Sequence, residues 1–373
     1  MISAARRPPP PVPVFVLTGF LGAGKTTLLN DLLGDGALAG TVVLINEFGT
    51  VGLDHLLVEK IDGDMLLMAS GCLCCSIRGD LVRTLEDLLR RLDNKRIAPF
   101  ARVVIETTGL ADPVPVLQTI IGHPYFALRF RVDGVVTAVD AVNGSDTLDR
   151  HREAVRQVAL ADRIVVTKGD IAQDADRAAL MTRLRALNPL APILDRAKGE
   201  VSAVALLDGG SRSALSPLLA HTDDDDDDHD HGHHHQHDHH HHDVSRHGES
   251  IRSHVLVRDA PVSETALTLF LDLLRHAHGP KLLRLKGLVA LADDPARPLV
   301  VHAVQHLLHP PVRLDAWPDA DHRTRIVLIT DGLEASFVER MFGAVCGDIA
   351  PDRPDMAALT ANPLAPATSG LLG

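Results

Sequence analysis

Several absences narrow the field before any motif is read. Aromatic residues make up only 3% of the 373-residue chain, so its cores must be aliphatic, and 45% apolar residues are enough to build them. Cysteine is scarce: four in the whole chain do not make a secreted disulfide framework and suit a reducing, cytoplasmic compartment. No apolar run reaches the ~18 residues of a membrane span. The N-terminus places Arg6 and Arg7 before an apolar run, but five prolines between positions 8 and 13 interrupt it, so no signal peptide is expected. An excess of basic charge is also missing. The net charge is −12, and without the nine aspartates of 223–243 it is −3, so nothing favours nucleic acid as a partner.

What is present divides the chain in three. In 1–207, short Val/Ile/Leu runs alternate with amphipathic stretches. Strands are expected at 14–18, 41–46, 64–69, 102–106, 131–140, 163–167 and near 192–195, with helices at 25–33, 80–92, 113–121, 149–160 and 174–187. That alternation predicts an α/β domain with a mostly parallel sheet covered by helices on both faces. Residues 208–250 are polar and hold HTDDDDDDHDHGHHHQHDHHHHD, with ten of the 22 histidines between 229 and 242; such a segment cannot bury apolar surface and is expected to be a disordered linker. In 251–350, strands at IRSHVLV, KLLRLKGLVAL, PLVVHAVQHLL and TRIVLIT are joined by a helix between Ser263 and Gly279 and closed by LEASFVERMFGAV, a smaller α+β domain. The tail, 351–373, is read as flexible.

GFLGAGKTT (19–27) fits G-x-x-x-x-G-K-[ST] with a strand before it and a helix after it. Gly22 and Gly24 let backbone N–H groups turn around a phosphate, Lys25 brings charge to the β- and γ-phosphates, and Thr26 offers a hydroxyl to Mg²⁺. The binding residues are then Gly19, Gly22, Ala23, Gly24, Lys25, Thr26 and Thr27, and the ligand a nucleoside triphosphate. Strand 163–167 ends in Thr167-Lys168-Gly169-Asp170, close to the N-K-x-D that reads guanine. Lys168 can pack its stem along the base and Asp170 can take the guanine donors, with Thr167 in place of Asn. This favours GTP over ATP; the alternative for Asp170 is a helix cap without base contact. Glu106 ends its strand where a Walker-B-type acid belongs, as a second Mg²⁺-managing group beside Thr26. Glu47 follows strand 41–46, and Gly109 offers a backbone N–H to a γ-phosphate. Lys25, Glu47 and Glu106 are the candidate catalytic residues, and loops 46–58 and 107–113 the candidate switch segments.

Three of the cysteines, Cys72, Cys74 and Cys75, crowd into SGCLCCSIRGDL, while Cys346 lies far off. Cys72 and Cys74 are too close to bridge without strain. The trio is read as a soft-metal site, with redox chemistry and inert packing as alternatives; the spacing is wrong for a C-x-x-C dithiol. Arg78 and a helix starting near Asp80 favour thiolates, which Zn²⁺ or Co²⁺ requires. Glu47 and His55 are candidates for a further ligand. In the tract, His233, His234, His235, His239, His240 and His241 are read as weak metal ligands of a flexible collector, the alternative being a plain spacer. His302, His306 and His309 attract notice, but strand histidines more often pack; Trp317 is read as a packing anchor.

In the order GFLGAGKTT, NEFG, GCLCC-x-x-RGDL, ETTGLADP and TKGD, these motifs resemble those of the CobW-type metallochaperone GTPases, relatives of the GTPases that deliver nickel to hydrogenase and urease. LLRLKG, VVHAVQHLLHPP and DHRTRIVLI resemble the CobW C-terminal domain. C-x-C-C sets this group apart. The resemblance implies a GTPase that binds Zn²⁺ or Co²⁺ and loads or allocates it to a client metalloenzyme or metal-insertion complex, with a homodimer compatible. Thr167 departs from the pattern and leaves base specificity open. A passive zinc or cobalt store with a nucleotide-binding fold is the alternative.

Overall fold

The computed structural model describes residues 10–34, 39–46, 58–61, 65–70, 77–207 and 250–347. Two sheets organise them. The first has eight strands in the order β3-β4-β2-β5-β1-β6-β7-β8. These are β1 (Val12–Gly19), β2 (Thr41–Asn46), β3 (Val58–Ile61), β4 (Met65–Ser70), β5 (Arg102–Glu106), β6 (Phe130–Asp140), β7 (Arg163–Thr167) and β8 (Ile193–Asp195). All pairings are parallel except β3 with β4, which is antiparallel at the edge.

The central strands are apolar on both faces because both faces are covered. In β1, Val14 and Val16 join a core with Leu81, Leu85 and Leu88 of α2 (Ile77–Asp93), Leu117 of α3 (Val114–Gly122) and, across the strand order, Leu148, Val155 and Leu184. Phe15 and Leu17 point the other way, onto Leu28 and Leu29 of α1 (Lys25–Gly34). Pro113 stands at the start of α3, and the Asp112 carboxylate accepts the Val114 N–H, so this helix is capped by its own sequence. After α4 (Pro124–Arg129), the segment read as one helix over 149–160 is two, α5 (Gly144–Arg150) and α6 (Arg152–Leu160). His151, at φ −128° and ψ 108°, breaks the helical path between them. Helix α7 (Asp174–Leu187) falls where the periodicity puts it, and α8 (Ala203–Leu207) closes the second face. The expected switch loop 46–58 ends in β3, an edge strand that its sequence did not announce.

The second sheet is antiparallel: β9 (Ile251–Arg258), β10 (Leu282–Leu291), β11 (Asp294–Val304), β12 (Leu307–Leu308), β13 (Val312–Arg313) and β14 (Thr324–Asp331), with β10 between β11 and β14. Helices α9 (Glu264–His278) and α10 (Ala335–Val345) cover one face, where Phe270 and Phe342 meet edge to face. The Ser263 hydroxyl accepts the Ala266 N–H, so Ser263 is the cap its sequence predicts. His306 does not share a strand face with His302: β11 ends at Val304, Gln305 turns at φ 51°, and His302 stacks instead on His309, ring centroids 4.4 Å apart. Trp317 packs against the core and donates its indole N–H to the Pro295 carbonyl at 2.8 Å.

Every residue of β10 is buried because the sheet's other face rests on the first domain. Leu283, Leu288, Val327 and Ile329 share one apolar cluster with Val155 and Leu160 of α6. Into this seam the chain places charge. Asp162, between α6 and β7, accepts the Arg284 guanidinium and the Lys286 ammonium, the latter at 3.0 Å, and its other oxygen accepts the Val135 N–H at 2.9 Å. Burial opposes a charge on Asp162, but Arg284 and Lys286 outweigh it and hold the carboxyl far below its ordinary range. Lys286 bears the cost: desolvation, and Arg284 beside it, pull its pKa down to about 8.

The two sides of this cluster carry opposite signs. The depressed Asp162 contributes stability above the ordinary carboxylate pKa of 3.8 and loses it as pH falls through and below that value. The depressed Lys286 costs stability while charged, and the cost is relieved as pH rises from about 8 to 10.5. In denaturant titrations, Asp162→Ala should lose about 3–5 kcal/mol, because it strands two buried cations. Lys286→Met should be at least as stable as wild type at neutral pH, with the gap closing at alkaline pH. Equal losses in the two variants would contradict this assignment.

Candidate functional site

The site is built at the C-terminal edge of the parallel sheet, where β1, β5, β2, β4, β6 and β7 end. Gly19 closes β1 at φ 141°, and a Cβ there would lie 2.3 Å from the Ala138 carbonyl oxygen, so only glycine lets the loop leave so close to β6. Gly22 and Gly24 sit at φ 74° and 82°, left-handed positions that curl the backbone between them. Lys25 is buried and returns over the loop, donating to the carbonyls of Gly19 at 2.8 Å and Phe20 at 3.2 Å. Gly19, Gly22, Ala23, Gly24, Lys25, Thr26 and Thr27 therefore form one cradle running into the N-terminus of α1.

The Thr26 hydroxyl donates to the Glu106 carboxylate at 2.9 Å, across 80 residues of sequence. Glu106 is 4% exposed. A hydroxyl and a carboxylate in contact beside a phosphate cradle are hard-oxygen donors of the kind Mg²⁺ takes. The next residue is tied down as well: the Thr107 N–H donates to the Leu17 carbonyl and its hydroxyl to that of Thr18 at 2.9 Å. Gly109 then passes directly over the phosphate loop, since a Cβ on it would meet the Leu21 nitrogen at 2.6 Å.

At the end of β7, Thr167, which departs from Asn, ties two loops together. The Thr167 hydroxyl donates to the Ala23 carbonyl at 2.8 Å and lies 3.2 Å from that of Val139, lashing the T-K-G-D loop to the phosphate loop. Lys168 stands at φ 55°, with its ammonium 2.8 Å from Asp140. Burial opposes charge on Asp140, but bonds from Lys168, the Asn143 side chain and the Val142 and Asn143 N–H groups prevail and lower its pKa. Asp170 is exposed at the mouth of this loop. Asp140 and the turn at Arg196–Lys198, against which Gly169 packs through Ala197 and Asp195, escaped the sequence reading. The signal for Asp140 was its place at the end of a buried strand, as for Glu106.

A cavity of about 230 Å³ opens beside the cradle, lined by Phe20, Val139, Asp140, Leu148, Gln157 and Lys168 among others. Glu47, His55, Cys72, Cys74, Cys75 and the histidine tract, with His233, His234, His235, His239, His240 and His241, lie outside the described residues. Their flanks do not. Asn46, one residue before Glu47, pairs with Ser70, two before Cys72, and Ile45 pairs with Glu106. Helix α2 starts at Ile77, directly after the cysteine segment. Among the described residues, no group of three or more His, Cys, Asp or Glu is placed to hold a metal ion, so His302 and His309 make no such centre.

Two family models match the chain: the CobW/HypB/UreG nucleotide-binding domain over residues 13–195, and the C-terminal domain of the cobalamin synthesis protein cobW over 251–346. The zinc chaperone YjiA of Escherichia coli is 34% identical over 297 residues, 80% of this chain and 87% of that one. Zinc-regulated GTPase metalloprotein activator 1 of Schizosaccharomyces pombe is 32% identical over 202 residues, 52% of this chain and 48% of that protein. A crystal structure of Zn(II)-bound YjiA GTPase from E. coli aligns with a TM-score of 0.68 at 28% identity, covering 90% of this chain and 99% of that one.

Thr167 and Glu106 should separate by what they disturb. Thr167→Val cuts the lashing between two loops and should weaken GTP and GDP alike by about tenfold in calorimetric titration. Glu106→Gln keeps the shape and removes a charge, and should lower kcat by about a hundredfold with little change in nucleotide affinity. A Glu106→Gln variant with normal turnover would remove the residue from the chemistry.

Proposed function

Because the chain belongs to the CobW/HypB/UreG family, we propose that it is a GTP-hydrolysing metallochaperone that holds Zn²⁺ or Co²⁺ at Cys72, Cys74 and Cys75 and passes it to a client metalloprotein. The observation that carries the reading is strand register. The pairings Asn46–Ser70 and Ile45–Glu106 put the ends of β2, β4 and β5 side by side, so the segments holding Glu47 and the cysteines issue from the same edge as the phosphate cradle. An order imposed at one segment is then felt at the other.

Each of this chain's residues has a task in that scheme. The cradle from Gly19 to Thr27 holds the phosphates, with Lys25 turning from the Gly19 and Phe20 carbonyls to the phosphate oxygens. Thr26 and Glu106 would hold Mg²⁺, which when bound would offset charge on the phosphate oxygens. Gly109 offers its N–H to the terminal phosphate, and Glu47 orients the attacking water. Thr167, Lys168 and Asp170 select guanine. With GTP bound, loops 46–58 and 107–113 order and complete the cysteine site; after hydrolysis they relax and the metal leaves. The C-x-C-C thiolates suit a soft or borderline ion, and Arg78 with the α2 N-terminus favours their deprotonation. The His/Asp tract gathers metal in the vicinity at many weak sites.

A zinc titration against a competing chromophoric chelator tests this. Affinity should be about tenfold or more higher with a non-hydrolysable GTP analogue than with GDP, and Cys72→Ala or Cys74→Ala should cost about a hundredfold while nucleotide binding stays. Deleting 222–243 should lower zinc stoichiometry and spare hydrolysis. Equal zinc affinity in both nucleotide states, or metal binding without turnover of GTP, would leave a passive store.

A further inference from the structure

Helix α6 and the residues flanking it touch the phosphate loop, the loop after β5 and the antiparallel domain. His151, just before it, stacks on Phe20 of the phosphate loop with ring centroids 4.4 Å apart. Arg156 pairs with Asp112 at 3.2 Å. The Gln157 amide donates to the carbonyls of Gly109 at 3.1 Å and Ala111 at 3.0 Å. These are grips on the phosphate loop and on the loop after β5. The remaining grips face the other domain. Arg152 pairs with Asp331 at the end of β14, the Leu160 carbonyl accepts the Arg284 guanidinium, and Asp162, two residues past the helix, takes Arg284 and Lys286 of β10.

The chemistry of Gln157 makes these grips interdependent. Gln157 is 1% exposed, and both carbonyls it serves belong to the loop that lies against Leu21. If that loop shifts toward a terminal phosphate and the helix stays, a buried amide is left unpaired, which is unfavourable enough that the helix follows. A helix transmits such a shift as a rod, and the Leu160 carbonyl lies within a turn of Gln157. Arg152 and Arg156 are four residues apart and so share one side of it, one arm reaching each domain.

We propose that α6 is the lever that carries nucleotide state to the antiparallel domain, with Gln157 and Arg156 as the positioning residues that engage it. The consequence is a second output of GTP binding besides the cysteine segment: a change in how the β10 face is held. This rests on the GTPase reading above but not on the metal site, so the test uses metal-free protein.

The test is hydrogen–deuterium exchange on the full chain with EDTA present, saturated with a GTP analogue or with GDP, saturation being verified by nucleotide titration. Exchange at Leu282–Leu291 should differ between the two states by about fivefold or more in wild type and by less than about twofold in Gln157→Leu and Arg156→Ala. Trp317 emission serves as a second reporter in the same domain. Arg183→Ala, which removes a pair with Asp149 that joins α7 to α5 and engages neither the loop after β5 nor the antiparallel domain, should keep the wild-type difference. A merely structural Gln157 would raise exchange equally in both states. Should Gln157→Leu fail to fold, Arg156→Ala carries the comparison, since its side chain is partly exposed. Identical exchange in the two wild-type states, or a difference that survives both substitutions, overturns the proposal. A failed zinc titration leaves it standing, and its failure leaves the zinc reading standing.

Discussion

The approach of β1 to β6 at Gly19 is the constraint on which the rest depends. The strand is paired in parallel on both sides, with Leu17 opposite Glu106 and Gly19 opposite Ala138. Once that register is fixed, the loop that follows must turn in a space where a single methyl would strike the Ala138 carbonyl. The turn throws Lys25 back over its own carbonyls and sets the Thr26 hydroxyl against Glu106. The same register brings the ends of β2 and β4 alongside, so a segment rich in thiols starts next to a segment that holds phosphate. Function here follows from adjacency along one sheet edge, and the helices supply the burial that makes the edge rigid.

The second domain is fastened by a different principle. Its inner face is apolar like any core, but the seam is crossed by one carboxylate shared between Arg284 and Lys286. Such a cluster adds little net stability over a hydrophobic equivalent and a great deal of geometric definition, because a slipped domain would strand buried charge. It also falls at the junction of α6 and β7, the strand that ends in the T-K-G-D loop. Docking of the two domains and the set of that loop are therefore one mechanical problem.

Much of this was legible in the chain itself. Strands 102–106 and 163–167 and helix 174–187 coincide with the observed elements, because continuous Val/Ile runs and a clean helical period leave no competing reading. The phosphate cradle was legible because positive-φ glycines at fixed offsets from a lysine admit few alternatives. The break at His151 was not, since Arg150–His151–Arg152 has neither glycine nor proline, and the stack of His151 on Phe20 is a tertiary contact. Thr167 read as a weakened motif and proved to be a tether, a role visible only when Ala23 is brought within reach. The contact of His302 with His309, and the pairing of Asp162 with two residues more than a hundred positions away, belong to tertiary structure alone.

The central claim is that a nucleotide's terminal phosphate decides whether a sulfur-ligated ion is held. Cobalt(II) absorption spectroscopy tests it most directly, because thiolate ligation produces a charge-transfer band that oxygen and nitrogen ligands do not. The account predicts that band in protein loaded with cobalt and a GTP analogue, and its loss when GDP replaces the analogue. A spectrum without the sulfur band in either state, or with the same band in both, would contradict it.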